Sequence, residues 1–145
     1  MSTAVAVVIA VNFTWLGMVS AISFIEAPLK FRAPNVTLQI GLGIGRLVFR
    51  ALNMVEVVLA LVVVIAAAIG QPGTATTVAV AVAVLALAIQ LVAVRPRLNR
   101  RSDQVLAGAV VPRSTGHHAY VVLELIKVLA LLVAGILLLV NGVTH

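Results

Sequence analysis

Polar and apolar positions along this chain fall into long blocks rather than short alternations. Four apolar runs occupy roughly residues 4–25, 47–69, 74–94 and 118–140, and charge and proline collect between them. Each run is about 20 residues long, enough to cross a hydrocarbon core of ~30 Å at a rise of ~1.5 Å per residue. The third run alternates Val and Ala from Val78 to Val84, a period that on its own suggests a strand. An open strand in lipid leaves its backbone groups unpaired, and a single strand cannot close a barrel. Read as a helix, the run also carries Ala75, Ala79 and Ala83 at four-residue spacing, a face for close helix contact. The pattern therefore predicts an all-α, four-helix membrane bundle in one domain, residues 1–145.

Composition agrees with the pattern. Hydrophobic residues make up 63% of the chain and charged residues 10%, with a mean hydropathy of +1.23, outside the range of soluble globular domains. The first run lacks the basic n-region and the small-residue cleavage site of a signal peptide, so it is expected to be a retained span.

Charge sets the expected orientation. Lys30, Arg32, Arg46 and Arg50 lie in or beside the first loop (27–45), and Arg95, Arg97, Arg100, Arg101 and Arg113 in the third (95–117). The second connection, Gln71-Pro72-Gly73, is uncharged. Nine of the ten basic residues thus fall on one side, which the positive-inside rule places in the cytoplasm. Both termini are expected outside, in a protein of the bacterial cytoplasmic membrane. The net charge of +6 needs no nucleic acid to explain it, because the basic loops sit where anionic lipid head groups are. Cysteine is absent, which excludes disulfides, thiolate metal sites and thiol redox chemistry.

Within the first loop, Pro28 and Pro34 are expected to stop the first helix. Val36, Leu38, Ile40, Leu42 and Ile44 then form an apolar stretch too short to span, expected at the interface or slightly re-entrant. The glycines of GLGIG (41–45) follow no soluble strand, so close-packed backbone is preferred there to a phosphate loop.

The candidate chemistry lies inside the spans. At 100° per residue, Arg46, Arg50, Asn53 and Glu56 share an arc of about 120° on the second helix. His117, Tyr120, Glu124 and Lys127 share about 80° on the fourth, with Lys127 ~15 Å beyond His117. Glu26 ends the first span and Gln90 lies near the end of the third. A charged side chain at the centre of a span costs ~2.5–3.5 kcal/mol even on mild scales, so such groups face each other or water. Arginines can snorkel to the surface, but Asn53 and Glu56 are too short, which points them into the bundle. Glu26 can pair with Lys30 at i, i+4, and Glu124 with Lys127 at i, i+3. Asn12 and Trp15 are assigned to packing.

Several chemistries are weighed on these residues. Glu26, Glu56, His117 and Glu124 are candidate metal ligands, although the paired Glu-x-x-His spacing of di-metal bundles is missing. Bis-histidine haem within one chain is disfavoured: His117 and His118 diverge by 100°, and His145 belongs to the far side. No cofactor is assigned. The segment RALNMVE (50–56) resembles the second-span motif of the membrane-associated eicosanoid and glutathione metabolism proteins, also four-span chains of about this length. That resemblance implies a glutathione site at Arg50, Asn53 and Glu56 in a membrane enzyme. Here Val57, Val58 and Leu59 follow the glutamate, where that family usually has a proline. The layout also resembles bacterial four-span proteins of unknown function with a proline-containing exit from the first span.

Intramembrane carboxylates beside a lysine and a histidine favour proton- or cation-linked transport, or ion or ligand binding, at Glu56, Asn53, Glu124, Lys127, His117, Tyr120, Glu26, Gln90 and Arg50. The alternatives are the glutathione-dependent enzyme and an accessory subunit of a larger membrane complex. A chain this short is expected to act as a homo-oligomer or within such a complex, with membrane lipids as further partners.

Overall fold

Ser2 and Thr37 each begin a long helix by accepting a hydrogen bond three residues ahead, from the backbone N–H of Val5 and of Ile40, both at 3.2 Å. In the computed structural model, four such helices run as α1 (Thr3–Lys30), α2 (Leu38–Gly70), α3 (Thr74–Leu106) and α4 (Thr115–Thr144). The structure describes residues 1–112 and 115–144, so Arg113 and His145 lie outside the described residues. No strand occurs among the described residues, and the Val/Ala run is helical. All four helices are long and apolar enough to cross a membrane. The chain is an integral membrane protein built as a four-helix bundle.

The helices run further than the apolar runs. The 36–44 stretch, expected to lie apart at the interface, is instead mostly the first turns of α2, because Thr37 caps a helix that continues unbroken to Gly70. At ~1.5 Å per residue, those 33 residues extend about 50 Å, well beyond a ~30 Å core. Most of the third loop is likewise helix, since α3 continues to Leu106.

Pro28 does not end α1 either. A proline lacks the N–H of the helical ladder, and its ring clashes with the carbonyl four residues back. The chain answers by widening one turn. Ile22–Glu26 is π-helical, and the N–H of Ala27, just before the proline, reaches back to the Ile22 carbonyl. The same device recurs in α3, where Gln90–Val94 is π-helical and the N–H of Arg95, just before Pro96, bonds to the Gln90 carbonyl. Such one-turn widenings shift the face that follows and often mark functional sites.

Around the bundle the helices follow the order α2, α1, α4, α3, with the broadest contact between α3 and α4. Their buried positions step by four and three: Val8, Asn12, Trp15 and Val19 on α1, and Tyr120, Glu124, Lys127, Leu131, Ala134 and Leu138 on α4. That spacing is the seam of a left-handed bundle. Lipid is as apolar as leucine, so the seam is held by close packing of small residues such as Ala79, Ala83, Ala86 and Ala134 rather than by exclusion of water. Toward the basic end the same seam turns polar.

The glycine-rich segment has a packing explanation. A Cβ at Gly41 would overlap the Phe31 ring, and one at Gly45 would lie 3.2 Å from Lys30 Nζ. These two glycines, one turn apart, form a notch on α2 that seats the residues just past the α1 proline.

Candidate functional site

Lys127 stands at the centre of the polar seam. Its ammonium lies 2.5 Å from Glu56 Oε2, 2.6 Å from Glu124 Oε1 and 2.8 Å from Gln90 Oε1. An ammonium has three N–H donors, and here each has one acceptor, drawn from α2, α4 and α3. The remaining helix, α1, contributes through the two carboxylates. Trp15 Nε1 donates to Glu56 Oε2 at 2.8 Å, and Ser23 Oγ donates to Glu124 Oε2 at 2.6 Å. Gln90 Nε2 donates to Glu124 Oε1 at 3.2 Å and to the Tyr120 carbonyl at 3.3 Å. Glu56, Gln90, Glu124 and Lys127 are all buried, at 0–1% exposure.

The two π-turns help to build this network. Ser23 lies within the first and Gln90 opens the second. One extra residue in a turn rotates the following face by about 100°, so the widened turns set which side chains meet Glu124.

Not every polar atom is satisfied. Glu56 Oε1, Asn53 Oδ1, the Tyr120 hydroxyl, and Nε and Nη2 of Arg95 are buried without a hydrogen-bond partner among the described residues. Asn12 Oδ1 and Thr76 Oγ1 are unsatisfied as well. The first five atoms form two sets of opposite character. Glu56 and Asn53, one turn apart on α2, present acceptors, whereas Arg95 and Tyr120 present donors. The Arg95 guanidinium rests on two rings, with Cζ 4.6 Å from the Tyr120 centroid and 5.3 Å from that of Phe49. Phe49 and Tyr120 meet edge to face at 5.8 Å.

A cavity of about 450 Å³ lies among the basic ends of the four helices. Ser23, Tyr120 and Glu124 form its floor, where the buried network begins. Its wall carries Lys30, Arg46, Arg95 and Arg101 amid Phe24, Leu42, Phe49 and Leu98.

Of the residues singled out in the sequence, the structure gathers Asn53, Glu56, Gln90, Tyr120, Glu124 and Lys127 in the seam. His117 lines the cavity above them. Glu26 turns to Lys30 at 3.3 Å, with its side chain 39% exposed. Arg50 is exposed, because α2 buries the face of Leu52, Asn53 and Glu56 and leaves Arg50 at its outer edge. The structure therefore does not bring Arg50 together with Asn53 and Glu56. Among the described residues, no group of three or more His, Asp or Glu side chains is placed to hold a metal ion.

Trp15, Phe49 and Arg95 escaped the sequence reading of the site. Trp15 was assigned to packing, and it is fully buried, but its indole N–H also belongs to Glu56. A usable signal existed: a tryptophan inside a span brings a donor that needs an acceptor. For Arg95 the signal was its position before Pro96, which parallels Ala27 before Pro28. No family model, curated protein or solved structure matches the chain.

Proposed function

We propose that this protein is a proton-linked membrane transport or ligand-binding protein whose exchangeable proton resides in the Glu56–Lys127–Glu124 network. Two carboxylates share one ammonium, so full ionisation leaves a net negative charge on a buried network. Like charges in a dry interior are costly, and one added proton makes the network neutral.

The observation that carries this reading is the pair of buried orphan acceptors, Glu56 Oε1 and Asn53 Oδ1. Positions i and i+3 on a helix are neighbours, with Cβ atoms ~5–6 Å apart. A proton on Glu56 Oε1 turns one orphan into a donor for the other. Exchange with the basic end runs through Glu124 and Ser23 to the cavity, which His117 also lines. By the positive-inside rule that end faces the cytoplasm. A single cysteine at Ser102, probed with an impermeant thiol reagent, tests the orientation: labelling in intact cells reverses it.

Infrared difference spectroscopy of purified protein at neutral pH tests the proton itself. A protonated-carboxyl band is expected in the wild type, and its loss both in Glu56→Gln and in Glu124→Gln, where a single remaining carboxylate balances Lys127. In proteoliposomes, pH-driven flux or ligand binding is expected to disappear with Glu56→Gln. A wild-type spectrum without that band, together with flux indifferent to Glu56, leaves the cluster a structural one in an accessory subunit. The glutathione reading rests on Arg50 joining Asn53 and Glu56. It is the weaker reading because Arg50 is exposed, and Glu56 is already engaged by Lys127 and Trp15.

A further inference from the structure

The charges around the cavity do not balance locally. Of its cationic wall residues, Lys30 is answered by Glu26 and Arg46 by Asp103, while Glu124 on the floor is answered by Lys127. Arg101 directs two N–H groups at backbone carbonyls, from Nε to Pro112 at 3.2 Å and from Nη2 to Val111 at 3.4 Å. Arg95 has no acidic partner within ion-pair distance among the described residues. Two of its nitrogens are buried without an acceptor. Beside it, Tyr120 is 7% exposed and its hydroxyl also lacks a partner. Arg95 as a whole is only partly buried, but two buried nitrogens with unused N–H groups are costly unless something supplies an acceptor.

From this geometry we infer that the cavity binds an amphiphilic anion, with a single acidic head group of the carboxylate or phosphate class seated on Arg95 and Tyr120. The guanidinium lies against the Tyr120 and Phe49 rings, so its unused edge is held in place for planar, two-point recognition of an oxyanion. The apolar body lies against Phe24, Leu42, Phe49, Leu98 and Val121. A volume of about 450 Å³ suits such a ligand and falls within the usual range for small-molecule sites. A purely apolar guest leaves the Arg95 N–H groups unsatisfied, and a bare ion leaves the aromatic wall unfilled.

This assignment names the ligand class for the function proposed above and rests on the cavity being its ligand site. It does not need the proton to be coupled. Calorimetric titration of the native protein in phosphatidylcholine nanodiscs, with octyl phosphate against 1-octanol, tests it directly. Octyl phosphate is expected to bind ~10-fold or more tightly than the alcohol, the scale of a hydrogen bond to a charged group. Arg95→Gln is expected to abolish that margin and Arg95→Lys to keep part of it. Equal affinity for the two probes in the wild type overturns the inference whether or not the variants fold. So does an undiminished margin in an Arg95→Gln protein with wild-type helicity. Competition identifies the source of the head group. Displacement by phosphatidic acid in the disc assigns a bilayer lipid, and displacement by inorganic phosphate alone assigns a soluble anion. Octyl phosphate binding that survives Glu56→Gln, with no proton exchange in the wild type, keeps the anion site and removes the proton reading.

Discussion

Two ionic sites in this molecule join helices distant in sequence, yet their surroundings are opposite. At the basic end, Arg46 pairs with Asp103 across α2 and α3, with side chains 40% and 60% exposed. Deep in the seam, Lys127 joins Glu56 and Glu124 with nothing exposed beyond 2%. The first pair competes with water and contributes at most about 1 kcal/mol. The second cannot fall back on water, so each partner determines whether the others can stay charged. The Lys127 ammonium has all three donors engaged, whereas Glu56 keeps an oxygen unfilled. The contrast separates a contact that trims the surface from one that sets the charge state of the interior.

Removing the lysine should give the largest effect. Lys127→Met leaves two buried carboxylates without a cation and is expected to destabilise the bundle by ~3–5 kcal/mol in a detergent denaturation experiment. Adding Glu124→Gln should recover much of that loss, and strict additivity shows that the groups do not interact. A slightly smaller cost is expected from inserting a carboxylate on the lipid side of α2. Val58 is 58% exposed, so Val58→Glu should cost ~2.5–3.5 kcal/mol in the bilayer. Glu56→Gln, two residues away, is the isostere of a protonated glutamate and should cost less than ~1 kcal/mol. Equal tolerance of the two changes places Glu56 outside the seam.

Smaller effects sharpen the other side of the comparison. Gly41→Ala drives a methyl into the Phe31 ring, the end of a side chain that is 41% exposed and can swing aside. It should therefore cost about 1 kcal/mol, the low end for overpacking. Because Phe31 lines the cavity, the same variant should also weaken ligand binding there. Arg46→Ala is expected to change the unfolding midpoint least, by less than ~1 kcal/mol, and the remaining effect should shrink with added salt. A salt-independent loss larger than that of Gly41→Ala moves Arg46 from the surface group into the site.

The amino-acid sequence by itself determined the four helices and the inward aim of Asn53, Glu56, Glu124 and Lys127. Both follow from local rules. A run of about 20 apolar residues spans lipid only as a helix, and a short charged side chain at depth cannot reach water along the lipid face. The Glu26–Lys30 and Glu124–Lys127 pairings were legible for the same reason, since i, i+4 and i, i+3 neighbours meet within one helix. The tertiary structure decided which carboxylate on another helix joins Lys127, that Trp15 serves Glu56, and that Arg50 is left outside. It also decided that Pro28 and Pro96 are accommodated by widened turns, and that Arg95 is held between Phe49 and Tyr120 over the cavity. Periodicity gives the face of each helix relative to its own neighbours. It carries no information about the rotation, offset and order of separate helices. An unforeseen π-turn shifts everything beyond it by about 100°, so contacts between helices emerge only when all four seams close together.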